Sequence, residues 1–488
     1  MVFKKTYALI VVGIMHGIGT YPLGPSTLSL INEASKRSIP HIVLNGGSFI
    51  QLGYGKNQRR IRTTRTDKTT AIGDAIADDK ALTKKLLADA EIPVPAGVLL
   101  TTPDDIPKAI NTIGFPLTIK PLDSNHGRGI AVGITNPDDV LSAFNSAKRY
   151  SDKVIIEETV VGQSFRVLVI NHVIVAATLC QAPVVIGNGT ATIKELIEIE
   201  NRNPLRSGYG NVLSSIAITD DTIKMLKKQQ YTLETIVPDG VTCELTSQAN
   251  LYAGGASVDV TDSVHPENKK LFERVSRILD LDICGIDIVA PSVSEPITQN
   301  GGAVIEVNTA PDFAMHLHPF KGKPRNVAKP VIDMLFPPGT SWRIPIIAVA
   351  HSEQSLSIAT RLADALQKKN VVVGSATTAG ITIGNETVTR NNAANYNGAQ
   401  LVLKDPLVEV AILELSPSTI TETGLGFDYC DIAVISNCKS PDDKEFMKAL
   451  TKNIPSQELL ILDTNLKRLN PVVKKIMRHI TPTLRRKS

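Results

Sequence analysis

The stretch Phe336-Pro-Pro-Gly-Thr-Ser-Trp-Arg343 cannot lie inside a helix or a central strand. Its two consecutive prolines have no backbone N–H, and the glycine after them frees the chain direction. The 488 residues therefore divide at about this point. After it, residues 344–350 form an apolar strand, 355–368 a helical stretch and 371–373 a second strand. That is the start of a βαβ unit, which implies a parallel sheet with helices on its faces. Before it, the pattern alternates. Residues 26–36 and 79–89 read as helices, the second with Leu82, Leu86 and Leu87 on one face. Segments 41–44, 115–120, 154–157, 165–170 and 173–178 read as strands. A helix over 266–279 leads into strands 283–289 and 303–308.

Composition removes several classes. Hydrophobic residues make up 42% and charged residues 20%, as in ordinary globular chains. Lys plus Arg is 52 against 48 for Asp plus Glu, a near-balance that argues against a dedicated nucleic-acid binder. Lys467, Arg468, Lys474, Lys475, Arg478, Arg485, Arg486 and Lys487 make the C-terminal segment basic; a solvated tail is the simpler reading. No apolar run is long enough to span a membrane. The apolar stretch over residues 7–14 is short and lacks a small-x-small cleavage site, so it reads as a strand rather than a signal peptide. Cys180, Cys243, Cys284, Cys430 and Cys438 are scattered, with no C-x-x-C pair, which suggests a reducing, cytoplasmic setting.

One set of polar residues carries chemistry. Lys80 opens a helix, and Lys120 ends a strand. The glycine-rich loop Asp123-Ser-Asn-His-Gly-Arg-Gly129 follows. Asp287 lies on an otherwise apolar strand, and Glu306 and Asn308 lie two apart on another, on one face. Each alone has a plain explanation: a solvated lysine, a satisfied acceptor, a hairpin turn. Together they suit magnesium-ATP. Lysines neutralise phosphate, small residues let backbone N–H groups approach it, and Asp, Glu and Asn offer hard oxygen donors to the ion. No G-x-x-x-x-G-K-[ST] motif exists in the chain.

Further segments carry a family resemblance. They are Gln51-Leu-Gly-Tyr-Gly-Lys-Asn-Gln-Arg-Arg-Ile61, Asp79-Lys-Ala-Leu-Thr-Lys84, Ile119-Lys-Pro-Leu-Asp-Ser-Asn-His-Gly-Arg-Gly129, Ala253-Gly-Gly-Ala-Ser-Val-Asp-Val-Thr-Asp262, Gly285-Ile-Asp-Ile-Val289, Ile305-Glu-Val-Asn308 and the run from Gly322 to Gly339. Over residues 25–340 the chain resembles the ATP-grasp part of cyanophycin synthetase. The resemblance implies a nucleotide held between two α+β subdomains and transfer of its γ-phosphate to a carboxylate, with amine attack on the acyl phosphate giving an amide. It implies Lys80 and Lys120 on the phosphates, with Asn125, Gly127 and Gly129 of the loop around them. His126 and Arg128 would act with Lys120 on the transferring group. Glu157 and Glu158 would frame the adenine, and Asp287, Glu306 and Asn308 would hold Mg2+. Arg166 and Arg206 have forks suited to substrate carboxylates.

The chain also departs from that family. Its synthetases are longer and carry a Mur-ligase-like module with its own P-loop. Residues 344–438 resemble the start of that module, but the P-loop position reads Ala350-His-Ser-Glu-Gln-Ser-Leu-Ser357, without the glycines and lysine that hold phosphate. Glu414 remains at a position that matches a metal ligand. Most of the family's N-terminal domain is absent as well. Asp312 and Ala314 stand where the family has Gly and Arg, and an added carboxylate there would weaken an anionic substrate. The expectation is an α+β / α/β chain: a remnant segment 1–75, an ATP-grasp domain 76–340, and a truncated, P-loop-less Mur-like parallel module 341–488. Its expected function is ATP-dependent amide ligation on an amino acid or short peptide. The alternatives are an assembly subunit of a two-chain synthetase and a small-dipeptide or glutathione-like ligase. The partners expected are the substrate, and a second copy or second synthetase subunit; neither nucleic acid nor a membrane span is expected.

Overall fold

The computed structural model describes residues 23–122, 129–204, 206, 213–246, 249, 251, 254–350, 354–415, 424–436 and 459–462. The basic C-terminal segment and the apolar stretch 7–14 lie outside them. Two compact units form: Leu23–Leu30 with Arg62–Leu335, and Ile31–Ile61 with Phe336 onward. The second unit begins at the Pro-Pro-Gly break, but it also takes in residues 31–61. Within it, backbone bonds join Tyr54 N to the Trp342 carbonyl and Lys56 N to the Val408 carbonyl.

The 62–335 unit holds two larger antiparallel sheets. One orders its strands Gly97–Leu100, Val154–Glu158, Leu117–Pro121 and Ala131–Ile134. Its core lies under the helices Ile106–Ile113 and Pro137–Lys148, with Phe144, Leu117 and Ile156 at 1% exposure or less. The strand begins at Leu117 because Pro116 has no N–H to give a ladder. The other sheet runs Ala256–Asp259, Val173–Gln181, Gln163–Ile170, Ile283–Ala290 and Ala303–Asn308. Around its centre the side chains alternate between faces. Phe165, Val167, Ile286 and Ile288 pack beneath the helix Pro266–Ile278, against Phe272 and Val275. Arg166 and Asp287, between them in sequence, therefore face the other way. A small pair, Val184–Ile186 with Thr242–Glu244, stands apart with its own core.

Caps set the helices that matter. Thr70 accepts from Gly73 N to start Ala71–Asp78, and Asp79 accepts from Ala81 N and Leu82 N to start Lys80–Asp89. The buried face of the latter is Thr83 and Leu87; Leu82 is 38% exposed, because the helix turns Thr83 inward to bond the Ile76 carbonyl.

The other unit carries a seven-stranded sheet ordered Glu386–Thr389, Gly380–Ile383, Val373–Thr377, Val410–Leu415, Ile346–Ala350, Ile432–Ser436 and Leu459–Leu462. The last five are parallel, and the first two form an antiparallel edge hairpin. Ile346–Ala350 and Val410–Leu415 are buried along their whole length, as strands covered on both faces must be. Arg343 stacks 3.4 Å from the Tyr429 ring and donates to the Tyr429 carbonyl at 2.7 Å, fastening the chain just past the break.

Candidate active site

The five-stranded sheet places five polar residues in one register. Asp259, Thr178, Arg166, Asp287 and Glu306 are successive Cα partners, one on each strand. Arg166 donates from Nη2 to Asp287 Oδ2 at 2.9 Å, and Asn308 Nδ2 donates to the same oxygen at 2.9 Å. Asp259 takes the Arg325 fork, with Nη2 at 2.7 Å. Gly285 is a glycine of necessity. A Cβ there would lie 2.8 Å from Pro311 Cβ and 3.2 Å from Arg166 Cδ. The segment after the last strand therefore lies directly over this polar face.

The helix Lys80–Asp89 joins this face to the other sheet. Lys80 Nζ sits 3.4 Å from Glu306 Oε1. One turn later, Lys84 pairs with Glu157. Lys120 Nζ approaches the other oxygen of the same carboxylate at 2.8 Å. Lys84, Lys120 and Glu157 are 14%, 7% and 3% exposed in their side chains, so two ammonium groups share one carboxylate away from water. Burial pushes the Lys84 ammonium below its ordinary value. Lys120 pushes the same way and Glu157 opposes both. Such a trio carries surplus positive charge, which an anion would balance. A groove lined by Lys80, Lys84, Val304 and Glu306 opens alongside.

Other expected residues fall differently. Asn125, His126, Gly127 and Arg128 lie outside the described residues. Gly129 is left-handed at φ +72°, and a Cβ there would meet Tyr150 Cδ2 at 2.7 Å. Glu158 turns its carboxylate to Ala96 N at 2.9 Å, while Glu157 faces the two lysines. Arg206 is buried, donating to the Ser214 and Gly254 carbonyls at 2.9 and 2.7 Å, and so pins loops of the small subdomain. Asp312 accepts from Ser26 Oγ at 2.6 Å and caps Ala314 N at 3.0 Å, so its charge is engaged locally. In the parallel unit, Glu414 is buried at the end of its strand. It accepts from Ser355 Oγ at 2.6 Å, at the start of the helix Ser355–Gln367, and from Thr378 N at 2.7 Å. A carboxylate thus holds the first side chain of that helix.

Lys84, Thr178, Arg325 and His316 join these residues without a signal of their own in the sequence pattern. The exception is Lys84, which lies four residues after Lys80 and so on the same helix face. Thr178 becomes visible only once strand register is known. His316 is 2% exposed and bonds Thr178 Oγ1 through Nδ1 at 2.9 Å.

The donor set suits magnesium. Asp287, Glu306 and Asn308 lie together on adjacent strands. Among the described residues no group of three or more His, Cys, Asp or Glu side chains gathers. Two carboxylates and an amide suit an ion that keeps water and takes phosphate oxygens, rather than one caged by protein alone.

A RimK-like ATP-grasp domain matches residues 77–184. The cyanophycin synthetase of Trichormus variabilis is 42% identical over 417 residues, covering 85% of this chain and 46% of that protein. That of a Synechocystis species is 41% identical over 419 residues, covering 85% and 48%. The glutathione biosynthesis bifunctional protein GshAB of Clostridium perfringens is 31% identical over 325 residues, covering 65% and 42%. A crystal structure of a bifunctional glutathione synthetase from Pasteurella multocida superposes with a TM-score of 0.51 at 29% identity, covering 65% of this chain and 44% of that one. The chain spans about half the length of the curated relatives it matches. It therefore carries an ATP-grasp fold and, over 85% of its length, is similar to about half of a cyanophycin synthetase.

Proposed function

We propose that this chain is an ATP-dependent ligase that activates a carboxylate as its acyl phosphate and joins it to an amine. The observation that carries the reading is the helix Lys80–Asp89, whose Lys80 reaches Glu306 on one sheet while Lys84 reaches Glu157 and, through it, Lys120 on the other. Lys80 and Lys120 bind the phosphates, and Lys84 holds Glu157 so that Lys120 stays aimed. Asp287, Glu306 and Asn308 would hold Mg2+, which when bound neutralises charge on the transferring phosphoryl. Arg166 keeps the Asp287 carboxylate oriented. Catalysis by this set is positioning and electrostatic stabilisation.

The substrate in this reading is an amino acid, an aspartyl-arginine dipeptide or a short peptide of that kind, in line with the similarity to cyanophycin synthetases. The likeness to a bifunctional glutathione synthetase favours a small-peptide product as the second reading. The parallel unit binds no nucleotide in either reading, because Glu414 fills the helix start with negative charge; an assembly role for it, with a second copy or a second synthetase subunit, would show as a stable complex in size-exclusion chromatography with light scattering. Cytoplasmic placement is part of the proposal, supported by the free thiols of Cys180, Cys243, Cys284 and Cys430. Among the described residues no helix is long and apolar enough to cross a membrane. The test is ADP release from magnesium-ATP with aspartate, arginine and β-aspartyl-arginine, singly and in pairs. No ADP release with any of them, in a protein that binds ATP, would refute the ligase reading.

A further inference from the structure

His316 meets the polar face at Thr178 but takes no part in the phosphate or metal set. Its segment is pressed onto that face, with Pro311 against Gly285 and Arg166. Its Nδ1 bonds Thr178, the register partner of both Arg166 and Asp259. Its Nε2 is buried and has no hydrogen-bond partner among the described residues. The charged groups around the ring are Arg166, Asp312 and Asp259. Burial first, then the Arg166 charge, push its pKa down to about 3, so the ring is neutral at physiological pH. A neutral ring carries one N–H. The bond to Thr178 Oγ1 occupies Nδ1 and leaves Nε2 as the unpaired ring nitrogen, a donor or an acceptor according to the tautomer. The neighbouring carboxylates are already engaged: Asp287 by Arg166 and Asn308, Asp259 by Arg325 and Thr261, and Asp312 by Ser26. A buried ring nitrogen without a partner is costly, so an incoming polar group would satisfy it.

We infer that His316 is a substrate-binding residue, whose Nε2 hydrogen-bonds an amide group of the peptidic substrate, which offers both a donor and an acceptor, with Thr178 fixing the ring. The inference rests on reading this face as that of a peptide-forming ligase, and it adds a contact on the side of the row away from Glu306. Magnesium-ATP is not part of that contact.

The test uses the full chain loaded with magnesium and a non-hydrolysable ATP analogue, with β-aspartyl-arginine as the probe in calorimetry. His316→Asn keeps an amide near the Thr178 bond and removes the outer polar atom. His316→Gln restores a polar atom, donor or acceptor, near the Nε2 position. Losing one such hydrogen bond weakens probe binding by about three- to tenfold. His316→Asn is expected to show that loss, His316→Gln to recover part of it, and the analogue to bind all forms equally. Thr178→Val, which leaves the imidazole in place but unanchored, is expected to weaken the probe as well and serves if the His316 variants do not fold. Equal probe binding in wild type and variants, probe binding absent in the wild type, or analogue binding lost along with the probe would each overturn the inference. ADP release is measured separately. Turnover with free amino acids alone, without probe binding, would spare the ligase reading and sink this one. Probe binding that depends on His316, without turnover, would do the reverse.

Discussion

Replacing Glu157 by Gln leaves Lys84 and Lys120 facing each other without their shared carboxylate. Breaking a buried ion pair from one side typically costs about 3–5 kcal/mol. Glu157→Gln should therefore lower stability in urea unfolding by a large part of that and weaken ATP binding through a misdirected Lys120. His316 gives a pH signature. Its folded pKa, about 3, lies below its ordinary value of 6.5. Between those values the unfolded chain binds a proton that the folded chain refuses, so stability falls as pH drops below about 6.5 and levels near pH 3. His316→Gln should flatten that part of the melting-temperature curve; an unchanged slope would contradict the burial argument. At this scale the sequence was legible where chemistry is local. Asp287 could be read because Ile286 and Ile288 flank it on a strand, and Glu306 and Asn308 because their spacing of two puts them on one face. Thr178 and His316 could not be read, since their meeting depends on strand register and on a segment folding back over the sheet. Arg206 and Asp312 were read as facing the substrate because a lone charge in a sequence carries no sign of the backbone groups that will claim it.

The helix Lys80–Asp89 is the element on which the site depends. Asp79 caps it, and a lost Asp N-cap costs about 0.5–2 kcal/mol. Asp79→Ala should loosen the first turn, which carries Lys80, so ATP affinity should fall while the overall melting temperature moves only a few degrees. The polar face of the five-stranded sheet depends on Gly285. Overpacking by one methyl group costs about 1–3 kcal/mol in a tight core. Gly285→Ala, forced against Pro311 and Arg166, should both destabilise the fold and reduce turnover, as thermal unfolding and ADP release would show. Elements of this kind were largely visible in advance, because alternation and capping are local. Their ends moved by a few residues wherever proline or a cap set the boundary. Of the apolar face Leu82, Leu86 and Leu87, the last two pack into the core, while Leu82 is exposed beside Thr83, whose hydroxyl bond to the Ile76 carbonyl apolar periodicity does not register.

At the scale of the whole molecule, the chain passes from one unit to the other at Phe336, beside Pro337-Pro338-Gly339, residues that cannot continue a helix. The recruitment of residues 31–61 into the later unit was not legible, because long-range backbone pairing leaves no local trace in a sequence. The central claim is that a single nucleotide site, in the 62–335 unit, carries out amide ligation. The most direct measurement is ADP release from magnesium-ATP with β-aspartyl-arginine and a short aspartyl-arginine primer, wild type against Lys120→Ala. The account predicts turnover in the wild type that depends on the peptidic substrates and is lost in Lys120→Ala while the protein remains folded. Turnover that survives in Lys120→Ala would contradict it.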